Sequence, residues 1–197
     1  MGRPRKMSRE ETLELALQLF WQRGFEGTSI GELSRAIGVG PSSLYNTFGS
    51  KNELFRECLE AYTAREGAFV RDSLAKDDAV EALTALLRSA AARFTREDQP
   101  RGCAVLTAPN PDRVENADVE ALLRDLRRQT LSMIDARVRR GVEEGDLAAD
   151  TDVANLARYV YGVMQALSAQ ARDGADPDAL GAFAELALQV VERARAI

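Results

Sequence analysis

Apolar residues recur three and four apart along most of the chain, and short runs of Gly, Pro, Asp and Asn separate the stretches that carry them. That spacing lays one side of a helix against a core. No segment alternates as a half-buried strand does. Ser8 with Glu11, Ser29 with Glu32 and Ser50 with Glu53 each have the spacing of a capping box, which ties up amides at a helix start. The first helix is expected from Ser8 to about Arg23 with Leu13, Ala16, Leu17, Phe20 and Trp21 on its apolar side, and Gly24 to Gly27 form a turn. Ile30, Leu33 and Ile37 make the next helix amphipathic, Gly38 closes it, and Val39 plugs the turn. Pro41 suits the first turn of a further short helix. There Leu44 and Phe48 point inward and turn Ser42, Ser43, Asn46 and Thr47 outward. Two short helices about a tight turn predict a helix-turn-helix, whose second helix enters a DNA major groove.

Beyond it a long helix is expected from Ser50 through Leu54, Phe55, Cys58, Leu59 and Tyr62 toward Phe69. From Asp77 the pattern predicts a helical bundle. Asp78 caps a helix carrying Val80, Leu83, Leu86, Leu87 and Phe94, and Asp98 to Gly102 break it. Cys103 to Ala108 is a short apolar piece stopped by Pro109, Asn110 and Pro111. A long amphipathic helix opens at Asn116 or Asp118 and runs to about Glu144, where Gly145 and Asp146 close it. Asp152 caps a helix whose middle, Tyr159 to Ala171, holds no charge, and a last helix runs from Pro177 to about Ala196. Both final helices are apolar on more than one side, which requires burial on more than one side.

Charge sharpens this picture. The net charge is −5, but residues 1–56 carry 8 Lys and Arg against 6 acids and the remainder 18 against 25. Arg3, Arg5, Lys6 and Arg9 crowd the start. A basic arm before a helix-turn-helix and an acidic body after it separate a phosphate-binding end from a non-binding one. The chain has no His, hence none of the commonest general base or zinc ligand, and no Gly-rich phosphate loop. It is expected to be no enzyme and to need no metal or cofactor. The longest charge-free run, Ala36 to Ser50, is mostly polar, so no membrane span is expected. Two Cys and no secretory leader pattern make a reducing cytoplasm the expected compartment.

Thr28-Ser29-Ile30, Ile37-Gly38-Val39 and the run Leu44-Tyr45-Asn46-Thr47-Phe48-Gly49-Ser50-Lys51-Asn52-Glu53-Leu54 closely resemble the TetR family of bacterial transcriptional regulators. Leu13 to Phe20, ending in Arg23-Gly24-Phe25, fits the same pattern. The resemblance is specific over about Ser8 to Leu59 and architectural beyond. Gly40 stands where the family often has Ser or Thr, and Ser42 where it often has Gly; both bear on operator sequence rather than fold. The expected fold is all-α: a three-helix helix-turn-helix DNA-binding domain with a basic arm (1–50) joined to a helical-bundle ligand-binding and dimerisation domain (51–197).

On that reading the arm (Arg3, Arg5, Lys6) and the helix start at Thr28 or Ser29 hold phosphates. Tyr45 and Lys51 match family positions that grip the backbone. Asn46 is the best base reader, since its amide pairs bidentate with adenine. Pro41, Ser42, Ser43 and Thr47 make apolar, short polar or methyl contacts. No Arg or Lys lies between Arg35 and Lys51, so the usual guanine reader is missing and thymine and adenine are expected at the central contacts. The resemblance implies a homodimer through the last two helices, with Val160, Val163, Leu167, Phe183, Leu188 and Val191 at the interface. It also implies an effector pocket in the bundle, and Tyr62, Phe69, Phe94, Cys103, Met133, Tyr159 and Met164 are candidates to line it, each otherwise plain core. The effector is an unknown small molecule and the partner a double-stranded operator.

Cys103 offers an alternative. It follows a breaker loop with Arg101 nearby, and its segment looks like those of a TetR subgroup that senses electrophiles or oxidants through a cysteine near this point. A buried inert thiol is the simpler reading. The other rival is a helical interaction protein that keeps the helix-turn-helix as scaffold without binding DNA.

Overall fold

The computed structural model describes residues 7–106, 108 and 116–196. Among them are nine helices: α1 (Arg9–Arg23), α2 (Ile30–Ile37), α3 (Pro41–Phe48), α4 (Lys51–Glu66), α5 (Ala68–Leu74), α6 (Ala79–Phe94), α7 (Ala117–Glu144), α8 (Val153–Arg172) and α9 (Pro177–Arg193). The expected all-α class holds. One pairing outside the helices, an antiparallel bridge between Leu147 and Arg195, is the only strand-like feature in the described residues.

The chain divides into two compact units, Met1–Arg65 with Ala108–Leu123, and Glu66–Thr107 with Arg124–Ile197. The expected boundary lay at 50/51; in this division α4 up to Arg65 falls in the first unit. Leu54, Phe55, Cys58, Leu59 and Tyr62 of α4 are buried, as are Leu17, Phe20 and Trp21 of α1. Phe55 meets Phe20 edge-on at 4.9 Å between centroids and Phe25 at 5.1 Å, and Tyr62 meets Trp21 edge-on at 5.0 Å. Such aromatic pairs each add about 0.5–1.5 kcal/mol beyond their burial. Two bonds fasten the start of α7 to this unit: Asn52 Nδ2 donates to Asp118 Oδ1 at 3.0 Å and Asn116 Nδ2 to Glu26 Oε1 at 2.6 Å.

The second unit is built on α6. Val80, Leu83, Leu86, Leu87 and Ala90 are fully buried in a cluster with Ile134 and Val138 of α7, Val160 and Leu167 of α8 and Leu180 and Val191 of α9. α6 packs on α5, α8 and α9. The single long helix expected from Ser50 to Phe69 is broken at Gly67, which separates α4 from α5. One end of the unit is closed by polar bonds. Asp146 accepts from the Ala79 amide at 2.8 Å and from the buried Arg137 at 3.3 Å, while Arg137 also donates to the Asp77 carbonyl. Ala148 N–H donates to Ala194 O, and Arg195 pairs with Asp78 at 3.1 Å. The breaker Pro109 to Pro111 lies outside the described residues.

Candidate nucleic-acid interface

The helix-turn-helix forms for local reasons. Ser8 and Ser29 each cap their helix through a full capping box, with Glu11 and Glu32 returning the bond to the cap amide. Removing such a cap costs about 1 kcal/mol. Gly38 ends α2 in the left-handed conformation, φ 76°, where a side chain would be strained. Ser34 fastens the turn by donating its hydroxyl to Val39 O. Pro41 opens α3 after the N-cap Gly40. Leu44 and Phe48 are buried under the short helix, while Pro41, Ser42, Ser43, Tyr45, Asn46 and Thr47 are exposed, Tyr45 by 49%. An eight-residue helix cannot hold itself in water, so those two anchors and its neighbours fix it. The third capping box is half formed: Glu53 N–H donates to Ser50 Oγ at 3.1 Å, but Ser50 N–H goes to Phe48 O instead of the Glu53 carboxylate.

Of the two residues expected to hold a phosphate at the start of α2, one is buried and one exposed. Thr28 is 0% exposed and its hydroxyl donates to Gly24 O at 2.8 Å, so it faces the turn rather than solvent. Ser29 is exposed, but its amide and hydroxyl both donate to Glu32 Oε2, at 2.9 and 2.8 Å. These bonds hold the Glu32 carboxyl below its ordinary range, the amide contributing most. A carboxylate therefore sits at the start of α2, against the Ser29 amide and hydroxyl. Lys51 lies with its ammonium 4.1 Å from the Phe25 ring centroid, a cation–π contact at the start of α4. Thr47 uses its hydroxyl proton on Ser43 O at 2.8 Å, which leaves acceptor capacity and a methyl group. Arg3, Arg5 and Lys6 lie outside the described residues. Arg9 is among them and is bound internally: three nitrogen–oxygen contacts of 2.6 to 3.1 Å join it to Glu57.

The residues expected to line one effector pocket fall in both units. Tyr62 lies in the first unit, edge-on to Trp21. In the second unit Phe69 meets Phe94 edge-on at 6.4 Å. Tyr159 donates its hydroxyl to Ala187 O at 3.1 Å and so ties α8 to α9. Met164 is core, and Met133 lines a groove of about 350 Å³ with Leu74, Ala75 and Ala136. Cys103 is half-buried, with its amide donating to Ser168 Oγ at 2.8 Å. Arg101, expected beside that thiol, donates to Ala175 O at 2.9 Å. A signal the sequence reading missed is Tyr161, whose hydroxyl is buried without a partner. Cys58 is fully buried, its thiol bonded to Leu13 O, and burial drives its ionisation far above the ordinary range.

The residues expected at the dimer interface are mostly covered within their own chain. Val160, Val163, Leu167, Leu188 and Val191 are buried inside their own chain against the α6 core, and Phe183 is half-buried. The large apolar side chains left exposed on α9 are Leu186 at 62% and Val190 at 39%. They lie four apart, with Phe183 one turn earlier, and on α8 the small residues Gly162 and Ala169 are exposed as well.

Two family models match this chain: bacterial regulatory proteins of the tetR family over residues 13–58, and the tetracyclin repressor-like C-terminal domain over 79–187. The HTH-type transcriptional repressor ComR of Escherichia coli (strain K12) is 31% identical over 194 residues, covering 96% of this chain and 91% of that one. The repressor BdcR of the same organism is 31% identical over 192 residues, 97% and 92% of the two chains. Among solved structures, a cysteine-substituted form of the TetR family transcriptional regulator CifR complexed with 26-bp double-strand operator DNA is 41% identical. Its TM-score is 0.89, over 95% of this chain and 98% of that one. Helix-turn-helix, helical second unit and full-length similarity agree: the chain belongs to the TetR family of bacterial regulatory proteins.

Proposed function

We propose that the chain is a cytoplasmic, non-enzymatic repressor that binds a palindromic operator as a homodimer and leaves it when a small molecule occupies the helical second unit. The exposed, uncharged polar side of α3, set on buried Leu44 and Phe48, carries this reading. The operator complex of a 41%-identical relative and the repressor names of ComR and BdcR support it. Asn46 reads adenine, Ser42, Ser43 and Thr47 add short contacts, and Tyr45 holds the backbone beside the arm cations Arg3, Arg5 and Lys6. Pairing of α8 and α9 across a two-fold axis, through Phe183, Leu186 and Val190, sets two recognition helices about 34–36 Å apart on one operator. An effector needs only a preference of a few kcal/mol for a different subunit arrangement to empty the operator.

The half-buried state of Cys103, in contrast to Cys58, favours a second reading in which oxidation or an electrophile at Cys103 supplies that preference. One experiment addresses both. A selected operator duplex and the DNA flanking the coding region are assayed by mobility shift, with wild type, Asn46→Ala and Cys103→Ser, each with and without a thiol oxidant. Asn46→Ala is expected to weaken specific binding by about 1–3 kcal/mol. A shift lost on oxidation in wild type and kept in Cys103→Ser identifies the thiol switch; a shift indifferent to oxidant directs the search to small molecules. G·C-only central contacts would overturn the role of Asn46, and the absence of any specific shift would favour the helical interaction protein.

A further inference from the structure

Arg9 looks like the last cation of a phosphate-binding arm, but its guanidinium is used inside the molecule. It forms a fork on Glu57 of α4, Nη2 lying 2.6 and 2.7 Å from the two carboxylate oxygens and Nε 3.1 Å from one of them. Its central carbon sits 4.6 Å from the ring centroid of Phe48, the buried final residue of α3, and Nη1 reaches toward Thr47 O at 3.5 Å. A single planar group thus joins the first residue of α1, the last turn of α3 and the second turn of α4. It also places positive charge at the carbonyl end of α3, where helix carbonyls lack partners. α3 is two turns long with Gly40 and Gly49 at its ends, and Gly40 gives its start no side-chain cap.

We infer that Arg9 and Glu57 form a positioning pair that sets how α3 lies in the groove, and so governs discrimination between sequences rather than attraction to phosphate. The inference rests on α3 being the DNA-reading helix. The pair is half exposed, side chains 51% and 30%, so its part in overall stability is small and variants should fold.

The test measures affinity of full-length wild type, Arg9→Ala, Arg9→Lys and Glu57→Gln for a selected operator duplex and a scrambled duplex of equal length, over a salt series, with thermal midpoints alongside. A positioning role predicts that Arg9→Ala lowers the ratio of specific to non-specific affinity about tenfold while the salt slope on scrambled DNA stays as in wild type. Arg9→Lys should not rescue, because an ammonium keeps the charge but neither forks nor stacks. Glu57→Gln should lower operator affinity although it removes a negative charge, the opposite of what simple electrostatics gives. A phosphate role predicts the reverse set: a salt slope smaller by about one unit in Arg9→Ala, rescue by Lys, and tighter binding by Glu57→Gln. That set would overturn the inference while leaving the operator reading intact. Wild type showing no preference for any selected duplex would remove the operator reading and this inference with it.

Discussion

Glu32 occupies the start of α2 twice over, as the returning half of a capping box and as a charge. Its carboxyl is held below the ordinary value of 4.5 chiefly by the Ser29 amide, next by the Ser29 hydroxyl, and then by Arg23 and Arg35 against a burial penalty. A lowered folded-state value means the stabilisation is complete above 4.5 and disappears as pH falls through the folded value below it. Glu32→Gln should therefore melt earlier than wild type at neutral pH, with the gap narrowing as pH falls below 4.5; a gap of constant size in thermal unfolding would refute the ionic part of the cap. The cap itself was legible because Ser29 and Glu32 lie three residues apart. Thr28 was not, since its burial depends on a hydroxyl bond to Gly24 across a turn. Arg9 read as an arm cation for a similar reason: its partner is 48 positions away, and spacing says nothing at that range.

Among elements, α8 and α9 show how far periodicity reaches. It disclosed two apolar sides on each helix but could not tell which meets the chain's own core. The structure assigns Val160, Leu167 and Val191 to α6, leaving Leu186 and Val190 outward. Leu186→Glu should thus weaken dimerisation by about 2 kcal/mol or more, about thirtyfold, with a helical content equal to that of wild type. Sedimentation equilibrium checks it, and an unchanged dimer would remove this side of α9 from the interface. The break between α4 and α5 escaped for a related reason. Gly67 has ordinary helical angles, φ −73° and ψ −9°, and a lone Gly within an apolar pattern does not announce a stop.

At the scale of the molecule, the division into units depended on what α4 packs against, and no composition shift marks that. The polar closure of the second unit was equally invisible, since Arg137, Asp146 and the Ala79 amide come from three separated segments. Arg137 has a side chain only 2% exposed, so Arg137→Ala leaves Asp146 without its buried partner and opens a hole beneath it. It is expected to lose about 3 kcal/mol in denaturant unfolding. A loss under 1 kcal/mol would mean that the closure adds little. Trp21 gives the two units different optical signatures. It is the chain's single tryptophan, buried edge-on to Tyr62 between α1 and α4 with its indole N–H unpartnered. Selectively excited emission therefore watches the DNA-reading unit by itself, whereas far-ultraviolet ellipticity sums all the helices. Overlaying the two melting curves on an unlabelled sample would show whether the units come apart together or one after the other.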